Sequence, residues 1–311
     1  MNQAVFWLAG AACLLPHVSA GGALVLGIAA ALLFGNPYAA KTKEYSSRLL
    51  AWSVMGLGAG MNLLAVARVG MQGFGYTIVG IALTLILGWA LGKLLTVERH
   101  VGLLVGVGTA ICGGSAIAAA AAAIKAKPSQ ISASLATVFC LNALALLIFP
   151  PLGHHFLLSE RQFGLWSALA IHDTSSVVGS AMQYGPQALE VAATVKLARA
   201  LWIVPVTLAL GLFWPQADAA GGAAKAKKPW FILGFLLAAA VVTFVPELKE
   251  AGAFVASAGK RALVVTLFLI GSGLSREAIA EVGWRPFAQG VLLWLLVGSA
   301  TLGAILAGLV R

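Results

Sequence analysis

Apolar runs of about 17 to 25 residues recur along nearly the whole chain, each long enough to cross a hydrocarbon core of roughly 30 Å as a helix. Eleven such segments are predicted, at approximately 2–16, 20–35, 47–67, 72–95, 101–125, 130–150, 161–184, 187–214, 229–246, 254–275 and 285–310. No soluble domain fits between them. The expected fold is an all-α, polytopic membrane protein, with 1–311 forming one transmembrane domain. Within it a flexible Gly/Ala/Lys-rich loop at 216–228 joins a helix bundle at 1–215 to another at 229–311.

Composition agrees: 60% of the 311 residues are hydrophobic and 10% charged, against about 25% charged in soluble domains. The formal charge of +10 does not require a nucleic-acid surface, because the cations sit in short connections between apolar segments, as the positive-inside rule expects. Lys41, Lys43 and Arg48, Lys93 and Arg99, and Lys225, Lys227 and Lys228 mark three loops that eleven crossings place on one side, the cytoplasm. The N-terminus is then inside and the C-terminus outside. Lys125 and Lys127 oppose this arrangement. Cys13, Cys112 and Cys140 are odd in number and far apart, so they form neither a disulfide framework nor a metal spacing. The stretch before Ala20 lacks a basic region, and residues 3–15 read as a short first membrane helix rather than a cleaved signal.

Polar residues interrupt two of the apolar segments. In the fifth, Cys112-Gly113-Gly114-Ser115 precedes alanines 118–123; the glycines can break the helix and Ser115 can cap the half that restarts. In the seventh, His172-Asp173-Thr174-Ser175-Ser176 interrupts the periodicity, and Asp173 or Thr174 can cap a second restart. Each restart exposes backbone N–H groups and the positive end of a helix dipole at membrane depth, which suits an anion. If the breaks cross, both sets of donors face one cavity, as in transporters with discontinuous helices. A glycine notch for close helix packing is the alternative reading of Gly113-Gly114.

Lys196 and Arg199, three residues apart, share a face of the eighth segment too deep for easy snorkelling. Together they can balance an oxyanion; alternatively Asp173 neutralises one of them in an internal ion pair. Ionisable groups at such depth mark function. The candidate substrate-binding residues are therefore Cys112, Gly113, Gly114, Ser115, Asn142, Thr174, Ser175, Ser176, Lys196 and Arg199, with His172 and Asp173 as ion-coupling groups. Trp166 and Trp202 wall the site or serve as packing anchors, and Asn62 and Ser275 either orient substrate or bond between helices.

Two internal similarities support a repeat. Residues 58–70 parallel 271–283, and Ala136-Thr-Val with Asn142-Ala-Leu144 matches Ala193-Thr-Val with Arg199-Ala-Leu201. Internal pseudo-symmetry with paired discontinuous helices is a common build for secondary transporters. Chance similarity among Gly/Ala-rich helices is the alternative.

The strings Thr109-Ala-Ile-Cys-Gly-Gly-Ser-Ala-Ile117, Ala170-Ile-His-Asp-Thr-Ser-Ser-Val-Val-Gly179 and Thr194-Val-Lys-Leu-Ala-Arg-Ala-Leu-Trp202 strongly resemble the YeiH-like sulfate exporter family of bacterial inner-membrane proteins. The resemblance covers nearly the whole chain. It implies a multi-pass inner-membrane transporter for sulfate, sulfite or sulfonate-derived anions, similar in architecture to bile-acid symporters and sodium/proton antiporters with crossed broken helices. Ala122 stands where the resemblance leads one to expect a proline.

The expected function is thus a secondary, ion-coupled carrier, in the export direction, of a small inorganic or organic anion. An anion channel, or an importer of an organic acid coupled to sodium or protons, is the alternative. Walker, Rossmann, HExxH and Cys/His metal motifs do not occur, so no cofactor and no enzymatic activity are expected. Expected partners are the anion, a coupling proton or sodium ion and the lipid bilayer, with no nucleic acid; a homodimer is compatible with the chain.

Overall fold

The computed structural model describes residues 3–15, 17–214, 230–273 and 283–310. The 216–228 loop and Ser275 lie outside the described residues, as does most of the 271–283 repeat partner. Among the described residues all regular structure is helical. In chain order the helices are α1 (Gln3–Ala12), α2 (Ala20–Phe34), α3 (Ala39–Gly58), α4 (Leu63–Leu94), α5 (Arg99–Ala110), α6 (Gly114–Ala123) and α7 (Pro128–His155). There follow α8 (Glu160–Ala170), α9 (Thr174–Tyr184), α10 (Pro186–Ala200), α11 (Ile203–Phe213), α12 (Trp230–Phe244), α13 (Lys249–Ser272) and α14 (Trp284–Leu306).

Among the described residues five stretches can each cross a bilayer by length and composition: Gly75–Leu94, Ser129–His155, Pro186–Phe213, Pro246–Ser272 and Trp284–Leu306. A sixth is formed if Glu44–Gly58 and Leu63–Met71, bent by 107°, make one span. Asn62 produces that bend by capping α4, its side chain accepting from the Leu64 and Ala65 amides. It is a helix cap, and neither of the roles expected from the sequence describes it.

The sequence reading counted 101–125 and 161–184 as crossings. Neither crosses. Gln130 in the first turn of α7 donates to Glu98, the residue before α5, and a Cβ on Gly108 would stand 2.8 Å from the Ile117 side chain. α6 therefore turns back along α5 and returns to the face it left, which we term the Arg99 face. The second pair does the same from the other side. Tyr184 at the end of α9 stacks on Phe163 near the start of α8 with centroids 3.8 Å apart, and its hydroxyl donates to Leu158 O at 2.6 Å. The amides of Gln187 and Ala188 donate to Glu160. Both feet of this hairpin lie on the opposite, Glu160 face.

α7 relates the two hairpins. Its first turn touches the feet of α5–α6 through Gln130, and its Gly153 lies against Phe163 and Tyr184 at the feet of α8–α9. Its 28 residues are roughly 42 Å long, enough to connect the two membrane faces. Arms of 10 to 12 residues are roughly 15 to 18 Å long, about half the hydrocarbon thickness. The two hairpins thus enter from opposite faces and end near mid-depth.

Two packing groups result. α2, α3, α12 and α13 lie together, with α13 flanked by both α2 and α3. α4, α7, α10 and α14 surround the hairpins. Lipid tails give no hydrophobic drive between helices, so close approach of backbones matters. Gly88 and Gly92 of α4 face Gly106 and Gly102 of α5; a Cβ on Gly88 would stand 3.1 Å from Gly106 Cα. This seam admits Gln289 of α14, whose Nε2 donates to Gly88 O and Gly102 O at 2.8 and 3.0 Å.

Candidate functional site

The hairpin tips are Ile111-Cys112-Gly113 and Ile171-His172-Asp173, and they meet. A Cβ on Gly113 would lie 3.1 Å from Asp173 Cβ and 3.2 Å from its Cα. Gly113 has φ +65°, in the left-handed region open to glycine, and only a residue without a side chain fits both the turn and the neighbour. Asn142, at the middle of α7, marks the same depth: its Oδ1 accepts from the Asp173 amide at 3.1 Å.

Each tip holds the C-terminus of a descending arm and the N-terminus of an ascending one, so partial charges of both signs gather there. The C-terminal carbonyls are satisfied by the two buried cations of α10. Arg199 donates from Nε to Ala110 O at 2.6 Å and from Nη2 to Thr109 O at 3.2 Å, both on α5. Its Nη1 reaches Leu169 O at 2.6 Å and Ala168 O at 3.2 Å, both on α8. Lys196 Nζ donates to Ile171 O at 2.7 Å and Ala168 O at 3.4 Å. One guanidinium therefore ties the two hairpins together. No ion pair joins Asp173 to either cation among the described residues.

At the α9 N-terminus Asp173 is the cap, as one of the two sequence alternatives expected. Its carboxylate accepts from the Ser175 amide at 3.0 Å and from the Ser175 hydroxyl. The first turn of α9, with Thr174, Ser175 and Ser176, is buried. At α6 the expectation of a Ser115 cap is not met. Gly113 is the N-cap and makes no side-chain bond, while Ser115 is an exposed second residue of the helix. Serine prefers the cap only where its backbone is extended, and the turn at Gly113 leaves Ser115 already helical. Three of the four helix ends thus carry a compensating side chain; the N-terminus of α6, beside Gly114 and the buried Cys112, does not.

Several polar atoms at this depth have no partner among the described residues. Both ring nitrogens of His172 are buried and unpaired, as are Asn142 Nδ2 and Thr194 Oγ1. Such atoms are rare in folded proteins and ask for a ligand or water. Thr194 was not a sequence candidate, although the Ala193-Thr-Val repeat carried the signal. Its counterpart Thr137 spends its hydroxyl on Ala133 O. Trp166 packs: its Nε1 donates to Gly298 O at 2.9 Å and its ring stacks on Phe149. Trp202 belongs to the apolar core around α11.

The second internal similarity has a structural counterpart. Each unit is a hairpin followed by a 28-residue stretch, α5–α6 with α7 and α8–α9 with α10 continued into α11, and the matched residues Asn142 and Arg199 both reach the junction of the tips.

Comparison with known proteins agrees with a membrane protein. A UPF0324 membrane protein of Bdellovibrio bacteriovorus is 60% identical over 304 residues, 97% of this chain and 94% of the relative. Those of Geobacter sulfurreducens and Porphyromonas gingivalis are each 47% identical, covering 98% and 91% of this chain and 96% and 86% of the relatives. No solved structure matches. The family model described as conserved hypothetical protein 698 matches residues 2–290, and the chain belongs to this family of UPF0324 bacterial membrane proteins.

Proposed function

We propose that the chain is an ion-coupled secondary transporter of a small anion, with its substrate site at the junction of the two hairpin tips. The observation that supports this most is the pair of hairpins entering from opposite faces and meeting beside buried, unpartnered polar groups. Irregular backbone at membrane depth persists where it is packed in protein or lines a wet cavity, and a mid-depth site between repeats is the usual geometry of a carrier.

The α6 N-terminus, with the amides beside Gly113, Gly114 and Ser115, is the end left for an anion. Asn142 Nδ2 and the Thr194 hydroxyl supply donors. Lys196 and Arg199 act one step back: they cancel the carbonyl ends of the descending arms, so that those ends do not repel the substrate. Asp173, at once part of the tip and the cap of α9, is the coupling carboxylate for a proton or sodium ion, and His172 its neighbour in that role. Sulfate, sulfite and sulfonates are the candidate substrates, and export the candidate direction.

Counterflow of labelled sulfate, sulfite and an alkanesulfonate in proteoliposomes tests the reading. Saturable uptake accelerated by internal substrate is expected for one of them, reduced at least about tenfold in Asn142→Ala. Asp173→Asn, which can still cap α9, is expected to retain exchange and lose its dependence on an ion gradient. Unsaturable flux at channel rates, or no flux of any of the three anions, overturns it.

A further inference from the structure

The charges gathered at the hairpin tips do not cancel. Among the described residues five ionisable side chains meet there: Cys112 and His172 in the turns, Asp173 at the head of α9, and Lys196 and Arg199 on α10. From α7 comes Asn142, which carries no charge. Arg199 donates to four carbonyl oxygens and Lys196 to two, and neither has an acid within bonding distance among the described residues. The Asp173 carboxylate bonds to Ser175 instead. With the thiol and the imidazole neutral, two cations against one carboxylate leave one positive charge. An imidazolium on His172 would add two buried donors without an acceptor, so the neutral ring is the form counted.

A unit of charge left over at membrane depth is costly unless something balances it. The N-terminus of α6, the helix end without a compensating side chain, adds partial positive charge at the same place. Open hydrogen-bonding capacity lies beside it. Asn142 is 3% exposed; its Oδ1 holds the Asp173 amide, and its Nδ2 has no partner among the described residues. Gly113, the first residue of the α6 turn, packs against that same Asp173, so the unpaired amide and the bare helix end share one junction. Asp173 and Gly114 are only half-buried, which leaves the junction open to a ligand.

We infer, building on the assignment of the tips as the substrate site, that this site is matched to a single negative charge: it takes a small monoanion while Asp173 is ionised, and a dianion only when one proton or sodium ion neutralises Asp173. Neutralising the carboxylate raises the excess to two positive charges, which a dianion balances. The loaded centre is therefore neutral in both forms, and the coupling cation enters with the dianion alone. At an effective dielectric near 20, a unit charge a few ångströms away changes affinity by about tenfold or more, enough for the state of one carboxylate to decide which anion is held.

The test uses the full chain in phosphatidylcholine nanodiscs with two radiolabelled probes, methanesulfonate and sulfate, which are close in size and differ by one charge that is fixed near neutral pH. Wild type is expected to bind methanesulfonate in potassium buffer without taking up a cation. Sulfate is expected to bind either with uptake of one proton, read by an indicator in weak buffer, or only when sodium replaces potassium; the two arms tell the coupling ions apart. Asp173→Asn, which can still cap α9, is expected to bind sulfate without either cation and to move the sulfate-to-methanesulfonate affinity ratio about tenfold or more toward sulfate. Asn142→Asp keeps an acceptor for the Asp173 amide and adds the opposite charge, so the ratio is expected to move toward methanesulfonate. Unfolding midpoints without probe show that each variant is folded. A ratio in folded Asp173→Asn within about twofold of wild type overturns the charge match and leaves the tips as a substrate site. Binding of neither probe by wild type, in sodium or in potassium, overturns the charge match and the site together.

Discussion

Arg199 is the residue on which most of the centre depends. It is 2% exposed and its guanidinium donates to carbonyls at the ends of two separate helices. A planar fork with fixed donor directions can do this, whereas a lysine ammonium reaches fewer acceptors from one position. Removing it leaves buried carbonyl ends unpaired in a low dielectric. Arg199→Ala is expected to lower stability by about 3 kcal/mol, the scale of deleting a buried charge-assisted partner, and Arg199→Lys by less. Detergent-phase unfolding midpoints measure both, and an Arg199→Ala protein as stable as wild type would show that the guanidinium is not the tie described here. Gly113 is the other critical position, since its positive φ and its contact with Asp173 both forbid a side chain.

At the scale of elements, the hairpins replace the crossed broken helices that the sequence suggested. A broken span and a hairpin share one sequence signature, a helix-breaking turn between two apolar stretches, because the local chemistry of the break is the same. What separates them is whether the second arm turns back, and long-range bonds decide that: Gln130 with Glu98 for one hairpin, Tyr184 with Leu158 and Phe163 for the other. Glu98→Cys with Gln130→Cys is therefore expected to be bridged by a short bifunctional thiol reagent in the folded protein. A crossing segment would hold those two positions about 30 Å apart, on opposite faces, and no bridge would form. Mass spectrometry of the treated double mutant reads the outcome.

For the whole molecule the hairpins change the distribution of charge. A hairpin makes no net crossing, so the connection carrying Lys125 and Lys127 shares the Arg99 face with Lys93. Arg285 joins them, its Nη1 3.5 Å from Thr96 O, and Arg99 stacks on Trp214 at 4.4 Å, just before the 216–228 loop. The opposition between these lysines and the basic connections at 93–99 and before 216 disappears, and the Arg99 face is expected to be cytoplasmic. Lys93→Cys and Lys127→Cys should thus be labelled by an impermeant thiol reagent from the same side of oriented vesicles; labelling from opposite sides would contradict the fold. Helical character, membrane residence, the turns at Gly113 and Asp173 and the buried charge of Lys196 and Arg199 were legible in the sequence, because each follows from hydropathy or from the backbone preference of a few neighbouring residues. The Asp173 cap was legible for the same reason. The return of the arms, the choice of Gly113 over Ser115 as cap and the partners of the two cations were not. Those depend on which distant groups fill the bonds that each helix end leaves open, and only the packed tertiary structure supplies them.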